Sequence, residues 1–183
     1  MVTNFPRRKP PKPLDQSRLQ ELALSYTARF AVSAAKLEAY LRRKLRERGW
    51  SGTSEPQVIE LVERFVRAGY VDDLAYAQSK SGSLLRRGYG QRRIDSALDA
   101  AGIGDNHRKA VQASEIEQRG AALAMAKRRG FGPFGIEAPD RPKREKQLAA
   151  MLRAGHPLDS ARHLVNASSR EAAEDWARNE ECA

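Results

Sequence analysis

The sequence is poor in the residues that most often carry chemistry. Its 183 residues include one cysteine, which excludes a disulfide-stapled scaffold and fits a reducing cytoplasm. That residue, Cys182, stands beside Glu180 and Glu181. Acidic neighbours do not lower a thiol pKa, so it reads as an incidental thiol. The three histidines, His107, His156 and His163, lack the spacing to cysteine or acidic partners that a metal site needs. No apolar run approaches the roughly 20 residues that cross a bilayer. Met1 to Pro13 is basic and proline-rich without an apolar core, unlike a secretory signal. Gly130-Phe131-Gly132-Pro133 lacks the Lys-Ser/Thr ending of a phosphate loop, and Gly88-Tyr89-Gly90 lacks the rest of a dinucleotide fingerprint. No catalytic residue, metal or cofactor is therefore expected. The chain reads as a cytoplasmic binding protein with no membrane association, rather than as an enzyme.

What is abundant is positive charge and helix-forming residues. Lys and Arg number 33 against 23 Asp and Glu, a formal net charge of +10. Of the cations 24 are arginines, whose planar forks grip carboxylates and phosphates in pairs, so acidic or polyanionic partners are expected. Alanine fills 28 positions and no stretch alternates apolar and polar residues for long, which argues against β structure.

Helical spacing runs through the chain instead. Leu19, Leu22, Ala23 and Tyr26 share one face, then Leu37, Tyr40, Leu41 and Leu45. The set Val58, Ile59, Leu61, Val62, Phe65 and Val66 marks the most apolar helix. Asp15, Ser33 and Ser54 stand as N-caps, Ser54 with Gln57 as a capping-box partner, and Gly49 and Gly69 as left-handed stops. Further helices are predicted at about 73–87, 91–101 and 105–112. Another starts at the Ser114 to Glu117 capping box and ends at Gly130, and the last two follow at about 141–154 and 157–167. Between them, Phe131 to Pro139 reads as a loop and the internal hinge.

Gly49, Gly102 and Gly155 are evenly spaced by 53 residues. Each follows an apolar residue by four positions (Leu45, Leu98, Met151) and precedes another by nine (Val58, Val111, Leu164). The pattern predicts an all-α protein of three tandem three-helix repeats stacked into an elongated array, its curvature left open. The repeats span 15–69, 70–112 and 113–167, between a basic disordered tail at 1–14 and an acidic tail at 168–183. A short helix in the acidic tail would dock through Trp176.

Three basic clusters are candidate contacts. Arg42, Arg43 and Arg46 lie opposite the leucine face of the second helix, although a solvated surface explains them as readily. Arg86, Arg87, Arg92 and Arg93 surround Tyr89. Two of these arginines stand in the first turn of a helix, where cations oppose the macrodipole, so free amides there would suit an anion. Lys143 and Arg144 lie in a third cluster with Arg141 and Lys146. Trp50 is read as a structural anchor, and Phe131 and Phe134 as loop packing.

Leu41-Arg42-Arg43-Lys44-Leu45, Gly49-Trp50, Gly69-Tyr70-Val71-Asp72-Asp73 and Arg86-Arg87-Gly88-Tyr89-Gly90-Gln91-Arg92-Arg93-Ile94 resemble the RecX regulatory proteins that modulate the RecA recombinase. The resemblance spans about residues 20 to 166. This chain departs from the family with Trp50 in place of tyrosine or phenylalanine, Gln91 in place of proline, and His156 in place of phenylalanine. The resemblance implies three tandem three-helix repeats and a non-enzymatic protein, and the chain is expected to be a monomer. Such a protein lies along the RecA nucleoprotein filament and modulates, mostly inhibits, its recombinase, ATPase and co-protease activities. The rival reading is a DNA-binding protein that uses tandem helix-turn-helix-like basic repeats, on single- or double-stranded DNA, independently of RecA. Charge is spread along the chain, +4 over 1–14, +3 over 15–69, +2 over 70–112, +4 over 113–166 and −3 beyond.

Overall fold

A computed structural model describes residues 12–178, so the expectations for most of the basic N-terminal segment and for Cys182 lie outside the described residues. The helices are α1 (Gln16–Thr27), α2 (Ala34–Arg48), α3 (Val58–Arg67), α4 (Asp73–Arg86), α5 (Gln91–Asp99), α6 (Asp105–Ala110), α7 (Glu115–Arg129), α8 (Arg141–Arg153), α9 (Leu158–Asn166) and α10 (Arg170–Arg178). Among the described residues there is no strand, only an isolated bridge between Leu14 and Trp50. The chain forms two compact units that divide between Asp72 and Asp73.

The first unit holds α1 to α3 around Leu19, Ala23, Leu37, Leu41, Val58, Leu61, Val62 and Phe65. Leu14 is fully buried in this core: its amide donates to the Gly49 carbonyl at 3.0 Å and its carbonyl accepts from Ser51 at 2.8 Å. The basic tail therefore ends before Leu14. Asp15 and Ser33 cap α1 and α2 through their side chains. Ser54 does not cap α3. That helix starts after Gln57, because Pro56 disfavours helical backbone at Glu55, and the Ser54 carbonyl instead accepts from the Trp50 indole at 2.6 Å. Trp50 is thus an anchor, its ring covering Gly52. Gly49 has positive φ but an extended ψ of 172°, so it redirects the chain rather than forming a left-handed cap. Ile59 and Val66 of α3 are exposed, on the flank of the helix beside its buried face.

The second unit contains α4 to α10 and two apolar clusters. One joins Tyr76, Ala77, Leu84, Ile94, Leu98 and Ile103, and the other joins Ala122, Met125, Met151, Ala161, Leu164 and Ala173. Tyr89 packs against both. The reciprocal capping box of Ser114 and Glu117 starts α7, and Gly130 ends it in the left-handed conformation. The segment expected to be an internal hinge is a packed turn. Gly132 to Phe134 form one turn of 3₁₀ helix, the buried Gly132 amide donates to the Gln147 side chain at 3.0 Å, and Arg170 donates to the Pro133 carbonyl at 3.1 Å. Phe131 and Phe134 pack on the second cluster.

The acidic C-terminal segment supplies α10, which packs on α7. Trp176 stacks on His163 at 5.1 Å and lies under the guanidinium of buried Arg119 at 5.3 Å. Arg119 also pairs with Glu115. Gly102 and Gly155 both have positive φ, as Gly49 does, and the three glycines follow α2, α5 and α8 in turn. The positions nine residues on are not equivalent: Val58 opens α3, Val111 closes α6, and Leu164 is inside α9.

Candidate binding groove

The candidate site is built on the turn between α4 and α5. Lys80 and Leu84 on α4 and Arg87 just past its end recur at four and then three residues, so they share one side of this segment. Gly88 (φ 74°) ends the helix, its amide donating to the Leu85 carbonyl at 2.7 Å and that of Tyr89 to the Leu84 carbonyl at 3.1 Å. Gly90 is extended and starts α5. The α8–α9 turn seats against this corner: the Gly90 amide donates to the Ala154 carbonyl at 3.0 Å and the Arg92 amide to the Gly155 carbonyl at 3.3 Å. A side chain on Gly90 would strike the Gly155 and His156 backbone, and one on Gly88 the backbone of α7. Both glycines are there for close approach.

The α5 N-terminus is therefore not the open anion site expected from the sequence, because two of its first amides are held by the carbonyls of the Gly155 turn. What remains open is the groove beside it, about 540 Å³ in volume. It is lined by Lys80 and Leu84 from α4, Arg87 and Tyr89 from the turn, Arg92, Arg93, Ser96 and Ala97 from α5, and Leu152, Arg153 and Gly155 from the far side. Its walls carry five cations and no carboxylate. Among the described residues none of the five is ion-paired. The Arg87 and Arg93 guanidiniums lie over the Tyr89 ring at 5.4 and 5.2 Å from its centroid, so the ring holds two cations close together.

The structure thus joins four of the sequence candidates, Arg87, Tyr89, Arg92 and Arg93, and adds Lys80 and Arg153. Helical spacing on α4 and the position of Arg153 two residues before Gly155 were the available signals for those two. Arg86 is exposed and lies back over Gly82, outside the groove. Arg144 lines a separate cleft with Pro133 and Val165, and Lys143 is exposed on α8 with its amide capped by Asp140. In the first unit, Arg42 pairs with Glu38 at 2.7 Å and Arg43 with Glu47 at 3.6 Å. Lys44, bonded to Glu47 at 2.5 Å, holds that carboxyl below the usual range. The charges of Arg42 and Arg43 are largely answered within α2, whereas exposed Arg46 has no carboxylate partner among the described residues.

No family model matches the sequence. The regulatory protein RecX of Myxococcus xanthus is 30% identical over 169 residues, which cover 87% of this chain and 90% of that protein. The chain belongs to the RecX family. The regulatory protein RecX of Agrobacterium fabrum is 29% identical over 77% of this chain and 78% of its own length. The solved RecX from Lactobacillus salivarius superposes with a TM-score of 0.64 at 19% identity, covering 81% of this chain and 93% of that one. A second solved regulatory protein RecX gives 0.63 at 16% identity, covering 81% and 70%. Those two structures establish the all-helical RecX fold for the chain.

Two of the departures from the RecX pattern have local roles at this corner. The Gln91 amide donates to Asp95 at 2.8 Å and its carbonyl accepts from the Ala113 amide at 3.2 Å, which ties α5 to the segment before α7; a proline could do neither. His156 is fully buried, with Nε2 at 3.1 Å from the Gly88 carbonyl, so the neutral ring carries its proton on Nε2 and donates it. Burial pushes its pKa below the usual value, against the smaller opposing effect of that hydrogen bond. Nδ1 has no partner. Among the described residues no helix is long and apolar enough to cross a membrane, and no cluster of side chains could hold a metal ion.

Proposed function

We propose that this chain binds the RecA nucleoprotein filament and modulates it, mostly by inhibition, acting on recombinase, ATPase and co-protease activities. The observation that carries this reading is the likeness to a RecX regulatory protein over 87% of the chain. The concentration of unpaired cations at the Arg87 to Arg93 corner supports it, since such a surface complements an acidic filament or its exposed DNA phosphates. The contacts are Arg87, Tyr89, Arg92 and Arg93 in the groove, with Arg46, Lys143 and Arg144. Arg42, Arg43 and Arg86 contribute less. Three successive helical trios, 15–69, 70–112 and 113–167, act within one monomer, and several weak contacts add through effective concentration.

The test is RecA ATPase on single-stranded DNA with this protein titrated at two salt concentrations. Inhibition by the natural sequence is expected, and its absence overturns the proposal. Reversing charge at Arg87, Arg92 and Arg93 together should relieve the inhibition while the helical circular dichroism persists; unchanged inhibition removes the groove from the contact surface. The five unpaired cations also favour a second reading, DNA binding without RecA. It requires tight binding to DNA alone with a steep salt dependence, and is rejected by weak DNA affinity beside strong filament binding.

A further inference from the structure

We propose that the groove between α4, α5 and the α8–α9 turn is a binding site for a condensed polyphosphate, such as the triphosphate of a nucleotide. The inference stands on the groove alone and does not rest on the regulatory reading. Lys80, Arg87, Arg92, Arg93 and Arg153 converge from three segments on one concavity of about 540 Å³ that offers no carboxylate. That volume is within the range of small-molecule sites. The ligand that answers five cations in so small a space must carry several negative charges close together. A triphosphate gathers its charges within the length of one nucleotide, whereas a nucleic-acid strand brings one charge per nucleotide and must extend to supply as many.

The aromatic chemistry points the same way. Binding of single strands relies on aromatic faces on which successive bases stack. Here the Tyr89 ring is already engaged by the Arg87 and Arg93 guanidiniums, so it gathers cations instead of receiving bases. Arginine forks suit phosphate oxygens bidentately. Leu84, Ala97 and Leu152, also in the lining, give an apolar wall against which one base can lie. The Ser96 hydroxyl, which donates to the Arg92 carbonyl at 2.9 Å, keeps its lone pairs for an acceptor role. A nucleotide and a polyanionic partner would compete for the same cations.

Calorimetric titration of the whole protein with ATP, inorganic tripolyphosphate, orthophosphate and a short oligothymidylate, at near-physiological salt, tests this. ATP and tripolyphosphate should bind with one-to-one stoichiometry and at least tenfold more tightly than orthophosphate or the oligonucleotide. Tighter binding of ATP than of tripolyphosphate assigns the base to the apolar wall; equal binding assigns the affinity to the phosphate chain alone. Lys80→Ala and Arg153→Ala should each weaken ATP about tenfold, as expected for loss of one charge-assisted contact. Arg29→Ala, an exposed cation of the other unit, should leave the affinity unchanged. The proposal is overturned if orthophosphate binds as well as ATP, if the oligonucleotide binds more tightly, or if Arg29→Ala weakens ATP as much as the groove variants do. Circular dichroism of each variant confirms its fold.

Discussion

Replacing Gly90 by alanine isolates the contact that holds the second unit's central corner together. The backbone of Gly90 is ordinary for any residue, with φ −82° and ψ 167°, so the effect comes from contact and not from conformational strain. An added Cβ would fall 2.5 Å from the His156 amide nitrogen and nearer still to the carbonyl of Gly155. Favourable carbon contacts begin near 3.5 Å, so the α8–α9 turn must withdraw by about 1 Å. That movement stretches three hydrogen bonds, Gly90 to Ala154 at 3.0 Å, Arg92 to Gly155 at 3.3 Å and His156 to Gly88 at 3.1 Å, past the useful range. At about 1 kcal/mol net for each bond, with 1 kcal/mol or more for overpacking, the loss is about 4 kcal/mol. This is a large part of the roughly 5–15 kcal/mol that holds a domain folded.

The two tryptophans, Trp50 and Trp176, report on different units. In a Trp50→Phe background, urea unfolding followed by Trp176 fluorescence therefore reads the second unit. The matching control is Gly120→Ala on α7, where a methyl group meets nothing within 4 Å and should stabilise by about 0.5–1 kcal/mol through helix propensity. If Gly90→Ala shifts the Trp176 transition by less than about 1 kcal/mol, the close approach is not what requires glycine.

Two further outcomes follow from buried polar groups. His156 has a lowered pKa in the folded state, so the unfolded chain takes up a proton near the ordinary value of about 6.5 that the native state refuses. Stability should be level above that pH and fall below it, by up to about 1.4 kcal/mol per pH unit, until the native pKa is reached. His156→Phe should abolish this contribution in urea titrations between about pH 7 and 5, and an identical acid slope would contradict it. Arg119 is buried against α10, but its partner Glu115 is exposed. Arg119→Ala therefore leaves no buried carboxylate behind, and the expected loss is about 2 kcal/mol instead of the 3–5 of a fully buried pair, with Trp176 emission shifted red as its ring becomes hydrated.

The helices were legible because their signals are local. Asp15, Ser33 and the Ser114 to Glu117 box cap where the sequence places them. Ser54 failed because a proline two residues later outweighs a capping-box pattern. The 53-residue glycine register was legible as three turns but not as three equal helices, since the link after Gly49 is longer than those after Gly102 and Gly155, and α6 is shorter than α3 and α9. Arginine exposure was also readable, but charge compensation was not. Glu38 and Glu47 answer Arg42 and Arg43 one helical turn away, while the groove depends on long-range convergence of Lys80 and Arg153 with the Tyr89 corner. The fate of the α5 amides was hidden for the same reason, because their acceptors lie more than sixty residues further along the chain.

Five uncompensated cations in one concavity give dissolved salt two opposite effects on this unit. Counterions relax the mutual repulsion of Lys80, Arg87, Arg92, Arg93 and Arg153 and so favour the folded corner. The same counterions must be expelled before a polyanion can enter. The corner is thus most secure in the electrolyte where it adheres least, and most eager to bind where it is under greatest electrostatic tension. Ionic strength becomes a control on when this surface is engaged, set by the absence of a single carboxylate.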